Sequence, residues 1–78
     1  MKKLNDKELA QIGEICSGLE NVLETGYDKQ GSFIVDMEDY SDDTVFLLVK
    51  YPEGDQEDMQ FDRSDLAEKD VSEIIEEI

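Results

Sequence analysis

Carboxylates dominate the ionisable side chains of this 78-residue chain, which has 22 Asp and Glu, seven Lys and Arg, and no His. Any chemistry of the chain would therefore depend mainly on carboxylates. Carboxylates can serve as an acid and base pair, ligate a cation or attract a basic protein. Two groups stand out. The first carboxylate group lies in the stretch DMEDYSDD and comprises Asp36, Glu38, Asp39, Asp42 and Asp43. The second carboxylate group follows at Glu53, Asp55, Glu57 and Asp58.

Catalysis is disfavoured by the side chains available. Without His, the commonest general base and the usual partner of a Ser or Cys nucleophile is absent. Cys16 falls on the apolar stripe of a predicted helix, which is typical of a small buried core residue. No Gly-rich phosphate loop is present, and carboxylates are so numerous that no pair is singled out. We therefore expect a protein that is not an enzyme and uses no cofactor.

A dedicated calcium loop is not predicted either. The EF-hand pattern needs Gly at its sixth position and Glu at its twelfth. Counted from Asp36 those positions hold Ser41 and Leu47, and counted from Asp55 they hold Gln60 and Leu66. We therefore assign no metal site to either carboxylate group.

The negative charge is concentrated in the second half of the chain. Residues 1–35 hold six acids and four bases, whereas residues 36–78 hold sixteen acids and only Lys50, Arg63 and Lys69 as bases. Nucleic acid and anionic membranes are improbable direct partners, because each contact would begin from repulsion. A basic protein is the natural complement, so both carboxylate groups are candidate partner-binding residues.

The chain is expected to be cytoplasmic. Its single Cys excludes an internal disulfide framework, and its first residues contain no apolar core of signal-peptide length. No apolar run approaches the length of a membrane span.

A long first helix is predicted over residues 6–25. Asn5 and Glu8 have the spacing of a capping box, and Gly26 can end the helix. Leu4 and Leu9 flank the capping box as a hydrophobic staple would. Three glutamates, Glu14, Glu20 and Glu24, are assigned to the polar face and are expected to matter little for binding. The apolar stripe consists of Leu9, Ile12, Ile15, Cys16, Leu19, Val22 and Leu23.

Three strands and a last helix follow. After a connection at residues 27–31, alternation from Phe33 to Glu38 predicts a strand, and residues 39–43 a turn. Residues 44–51 are apolar on both faces, which favours a central strand, and a weaker third strand is predicted near residues 57–62. Residues 64–69 are expected to form a loop or a short helical turn. Asp70 and Glu73 predict a second capping box before a helix of about two turns.

The resulting prediction is one α+β domain over residues 1–78, in the order α-β-β-β-α. It has a three-stranded antiparallel meander with the long N-terminal helix packed on one face and a short C-terminal helix. The opposite face offers Ile34, Phe46 and Leu48. Either the last helix covers this face or the face binds something else.

In size, charge, lack of His and compact α+β character, the chain resembles small acidic inhibitors, often from bacteriophages, that mimic DNA. The resemblance implies an anti-restriction or anti-CRISPR type of function, in which carboxylates occupy a basic nucleic-acid-binding surface of a nuclease or other DNA- or RNA-handling protein. Two alternatives remain: an immunity protein or antitoxin that neutralises a basic nuclease toxin, and an interaction module that dimerises through its apolar sheet face. We expect a monomer or homodimer.

Overall fold

The computed structural model describes residues 2–27 and 31–78 and confirms the predicted α+β fold. A single antiparallel sheet has the strand order β1-β2-β3. Most of the connection predicted at residues 27–31 lies outside the described residues. The elements are α1 (Asp6–Thr25), β1 (Ile34–Tyr40), β2 (Thr44–Lys50), β3 (Gln56–Asp62), α2 (Asp65–Glu68) and α3 (Val71–Glu77).

Helix α1 begins at the predicted capping box. The Glu8 backbone N–H donates to the Asn5 side chain at 2.8 Å, and the Asn5 backbone N–H donates to Glu8 Oε1 at 3.1 Å. The apolar stripe is buried along its centre, but Leu9 is 45% and Val22 58% exposed. Since successive helical residues turn by about 100°, Leu9 and Val22 lie roughly 60–80° from the centre of the stripe. They therefore fall at the margins of the contact with the sheet.

Strand β1 extends further than the sequence predicted. The turn predicted at residues 39–43 is confined to residues 41–43, because Asp39 and Tyr40 belong to β1 and pair with Phe46 and Val45. A β-bulge between Met37 and Asp39 accommodates one extra residue and allows pairing to continue. The stretch DMEDYSDD is therefore mostly strand, and its carboxylates are mostly held on a pleated backbone.

Both α1 and α3 lie on the same side of the sheet. Inward-facing strand residues share one buried core with residues of α1, α2 and α3. The Ile75 side chain of α3 fills the space beside Gly18 of α1, where a Cβ would clash. Helix α3 therefore packs beside α1, leaving the opposite sheet face uncovered by any described helix. The core consists of Ile12, Ile15, Cys16, Leu19, Phe33, Val35, Val45, Leu47, Val49, Phe61, Leu66 and Ile74.

The end of the chain differs from the prediction in one detail. Residues 65–68 form the short helical turn α2, and α3 follows with Asp70 at its N-cap. The second capping box is wrong, because the Asp70 side chain makes no capping hydrogen bond. The first N–H groups of an exposed helix end can bind water instead, so the sequence pattern alone does not require the bond.

Candidate protein-binding face

The side of the sheet turned away from α1 and α3 combines apolar and acidic residues, and we call it the open face. Its apolar centre is supplied by Phe46 and Leu48 of β2, both half-buried, while Ile34 of β1 is 50% exposed. Carboxylates of the outer strands flank this centre. By pairing and alternation its members are Ile34, Asp36, Glu38, Asp39, Thr44, Phe46, Leu48, Lys50, Gln56, Asp58, Gln60 and Asp62.

Strand register sets the acidic side chains on either side of β2. Leu48 pairs with Asp36 on one side and with Asp58 on the other. In a sheet, paired residues project to the same face, and neighbouring strands lie about 4.8 Å apart. Carboxylates of β1 and β3 therefore stand on both sides of an apolar residue in the same cross-strand row.

Glu38 and Asp58 form an interacting carboxylate pair on this face. Glu38 occupies the bulge of β1, and its carboxyl group reaches across β2 to within hydrogen-bonding range of Asp58. The hydrogen bond to Asp58, with the negative charges of Asp58 and Asp39, raises the pKa of Glu38 above its ordinary 4.5. With Phe46 and Gln60, these three acids line a shallow cavity of about 350 Å³.

The remaining members of the first carboxylate group lie at the β1–β2 turn. The Lys2 backbone N–H donates to Asp42 Oδ1 at 2.6 Å, and the Arg63 backbone N–H donates to the Asp43 carbonyl at 2.8 Å. Ser41 Oγ accepts the Thr44 backbone N–H at 3.0 Å. This turn is tied to the N-terminal segment and to the end of β3, away from the centre of the open face.

The second carboxylate group is divided by the fold. Glu53 accepts a hydrogen bond from the Tyr27 hydroxyl. Glu57 lies on the side of the sheet that faces the helices. Its carboxylate accepts a hydrogen bond from the Tyr51 hydroxyl at 2.5 Å, which raises the pKa of Tyr51. Asp55 lies exposed in the β2–β3 turn, at the opposite end of the sheet from the first turn. Of this group, only Asp58 joins the open face.

Arg63, one of the three bases among residues 36–78, is used inside the protein and does not neutralise surface carboxylates of the sheet. Its side chain is only 5% exposed and forms an ion pair with Glu8 at 3.0 Å. Its other guanidinium N–H groups donate to the Lys2, Lys3 and Ser41 carbonyls at 2.6–3.0 Å, and again to Glu8. All five donors of the guanidinium are thus used inside the protein.

The second base of the acidic half is also used internally. Lys69 forms ion pairs with Glu77 at 2.5 Å and with Asp65 at 3.7 Å. Lys50 forms no ion pair with any other described residue, and it stands at one end of the open face. The acidic excess of residues 36–78 is therefore barely compensated at the sheet surface.

Two glutamates of α1 have a structural role that the sequence did not indicate. The Val35 backbone N–H donates to Glu20 at 2.9 Å, and the Phe33 backbone N–H donates to Glu24 at 3.1 Å. These bonds satisfy N–H groups along the outer edge of β1 that have no strand partner. That Glu20 and Glu24 matter little for partner binding stays a prediction, but the close approach of β1 to α1 gives both a structural role.

Other kinds of site receive no support from the geometry. Among residues 2–27 and 31–78, no Asp, Glu and Cys side chains are grouped so that they could hold a metal ion. Cys16 is buried, and burial together with the Asp36 and Glu20 carboxylates raises its thiol pKa to about 11. The thiol therefore stays protonated at neutral pH and is a poor nucleophile. None of the described helices is both long enough and apolar enough to span a bilayer.

Comparison with known proteins identified no relative of this chain. No protein-family model, no curated protein and no solved structure matches the chain.

Proposed function

We propose that this chain is a non-enzymatic, cytoplasmic inhibitor that binds the basic nucleic-acid-binding surface of a nuclease or another DNA- or RNA-handling protein. One observation carries the proposal. The acidic half has two bases that are bound internally, Arg63 and Lys69, so its carboxylates have little cationic compensation at the surface.

The carboxylates of the sheet are held in fixed positions, as an inhibitor of this kind requires. Duplex DNA presents one charge per about 1.7 Å of its axis, and a basic cleft is shaped to receive such an array. The sheet holds Asp36 and Glu38 on β1 and Asp58 on β3, and both strands pair with β2. A binder with preorganised groups loses less conformational entropy on association than a flexible acidic tail would.

A dimerisation module is the less favoured alternative. Two copies joined through their open faces would bring Asp36, Glu38, Asp39, Asp58 and Asp62 of one copy against the same carboxylates of the other. Like charges opposed across an interface are strongly unfavourable, whereas a basic partner would neutralise them. The charge pattern therefore supports a basic partner over a second copy.

Affinity capture from a lysate of the encoding organism tests the proposal. The tagged chain is incubated at low salt, and proteins released by raising the salt are identified by mass spectrometry. Recovery of a basic nuclease or nucleic-acid-binding protein supports the proposal, and a toxin nuclease would assign the immunity-protein variant of it. Recovery of no basic nucleic-acid-handling protein contradicts both.

A further inference from the structure

We infer that the open face is the contact surface, and that it binds a protein segment in which arginine side chains flank apolar ones. This inference rests on the proposed function and deepens it, because it names the face and the chemistry of the partner segment. It also narrows the sequence-based expectation, which named both carboxylate groups as candidate partner-binding residues.

The open face has the composition of an interface with an apolar centre and a polar rim. Protein interfaces commonly bury apolar residues at the centre and keep polar groups around them. Phe46 and Leu48 form such a centre in the middle strand, and Ile34 adds a third exposed apolar side chain. Both α1 and α3 pack on the other side of the sheet, so no described helix competes for these residues.

Charge complementarity identifies the occupant. Carboxylates flank the apolar centre on both outer strands, with Asp36 on β1 and Asp58 on β3 in the same cross-strand row as Leu48. A matching segment therefore carries apolar side chains along its middle and cations at its margins. Nucleic acid and a second copy of this chain both lack that pattern, because each would present negative charge here.

Arginine fits the shallow cavity between the outer strands better than lysine. Glu38 and Asp58 offer neighbouring carboxyl oxygens, which suit the fork of guanidinium donors. The Phe46 ring lines the same cavity, and aromatic rings attract guanidinium groups placed over them. A cation at this position would also stabilise the ionised form of Glu38, whose pKa is raised by the hydrogen bond to Asp58 and by the negative charges of Asp58 and Asp39.

The test uses a synthetic peptide with valines at its centre and arginines at both ends as the probe, titrated into the ¹⁵N-labelled full chain at low salt. Its comparison peptide has the same composition, with the arginines and valines segregated into two blocks. We expect amide shifts at β1, β2 and β3 residues of the open face, and binding about tenfold tighter for the peptide with arginines at both ends. Shifts confined to residues 41–43, residues 53–55 or the helices would overturn the inference.

Variants separate the apolar from the acidic contribution. F46A/L48A is expected to weaken peptide binding about tenfold and to make the remaining binding more sensitive to salt. Should that variant unfold, D36N/E38Q/D58N tests the same face without altering apolar contacts and is expected to abolish measurable binding. Unchanged affinity in D36N/E38Q/D58N would overturn the inference.

Failure of this inference can be told from failure of the proposed function. A basic nucleic-acid-handling protein captured equally by the wild type and by D36N/E38Q/D58N leaves the function standing and overturns the open face as its contact surface. A peptide that maps to the open face, with no such protein captured from the lysate, supports the surface and contradicts the function. A dimer that dissociates only when F46A/L48A is introduced overturns the assigned occupant.

Discussion

The position of α3 decides whether the open face is available, and Ile74→Ala tests that position. Ile74 is 1% exposed and lies in the core shared by the sheet and α1. Truncating a fully buried Ile to Ala costs about 2–5 kcal/mol through lost burial and the cavity left behind. We take about 3 kcal/mol as the expected loss in the free energy of unfolding.

That loss is large for a chain of this size. Domains are stable by roughly 0.05–0.15 kcal/mol per residue, which gives about 4–12 kcal/mol for 78 residues. A loss of about 3 kcal/mol therefore removes between a quarter and three quarters of the total, and lowers Tm by roughly 12–24 °C. Urea unfolding followed by far-UV circular dichroism measures the change, with Tm from a thermal scan as a second readout.

Ile34→Ala is the matched control, because the same side chain stands 50% exposed on the open face. It is expected to cost less than about 1 kcal/mol, since much of its surface is already in water. The reasoning is refuted if Ile74→Ala costs no more than Ile34→Ala. In that case α3 does not occupy the core, and the open face cannot be assumed free.

Three further predictions concern charge. Lowering the pH from 7 toward about 5 should raise Tm, because the raised pKa of Glu38 favours the protonated folded state, and E38Q should reduce this rise. Below pH 4.5, Tm should fall again, because the hydrogen bond to Arg63 lowers the pKa of Glu8 and protonation of Glu8 removes their ion pair. A Tm that falls steadily as the pH is lowered from 7 would contradict the predicted rise. R63K should lower Tm although the charge is kept, because Lys cannot supply five donors to Glu8 and three carbonyls, whereas K50R should leave Tm unchanged. Equal Tm values for R63K and wild type would contradict this role of the Arg63 guanidinium. E20A/E24A should speed amide hydrogen exchange at Val35 and Phe33 relative to the exposed control E14A, because Ala removes the acceptors, and equal exchange rates would show that these glutamates do not protect the β1 edge.

Local patterns were sufficient to predict the elements. The Asn5 and Glu8 capping box and the apolar stripe around Ile15 define α1, because capping and helical periodicity depend on residues close in sequence. Strand β2 was predicted as central because it is apolar on both faces, and it lies between β1 and β3. The same alternation placed Ile34, Phe46 and Leu48 together on one face.

Contacts between distant residues could not be predicted in the same way. Nothing in the local sequence indicates that Arg63 is buried, yet its guanidinium donates to carbonyls some sixty positions earlier in the chain. The bulge at Met37 and Asp39 depends on pairing with β2, and it places Glu38 beside Asp58. The periodicity of α3 does not determine on which face of the sheet the helix packs. In the structure Ile74 and Ile75 pack on the side of α1.

A matched set of variants isolates the open face from total charge. D36N/E38Q/D39N/D58N removes four carboxylates of that face, and E14Q/E68Q/E73Q/E76Q removes four exposed carboxylates of the helices. Both change the net charge equally, so a difference between them reports position. The affinity of the open-face variant for the basic partner is expected to fall by several orders of magnitude. The affinity of the helix variant should fall only slightly, because that variant weakens long-range attraction alone.

Competition for the partner's nucleic-acid site is the most direct test of the central claim. The captured partner is loaded with a fluorescent DNA or RNA duplex, and the chain is titrated in while fluorescence anisotropy reports the bound duplex. We expect the chain to displace the duplex completely, the helix variant to do so nearly as well, and the open-face variant to fail. A stable ternary complex of partner, duplex and chain would contradict the account.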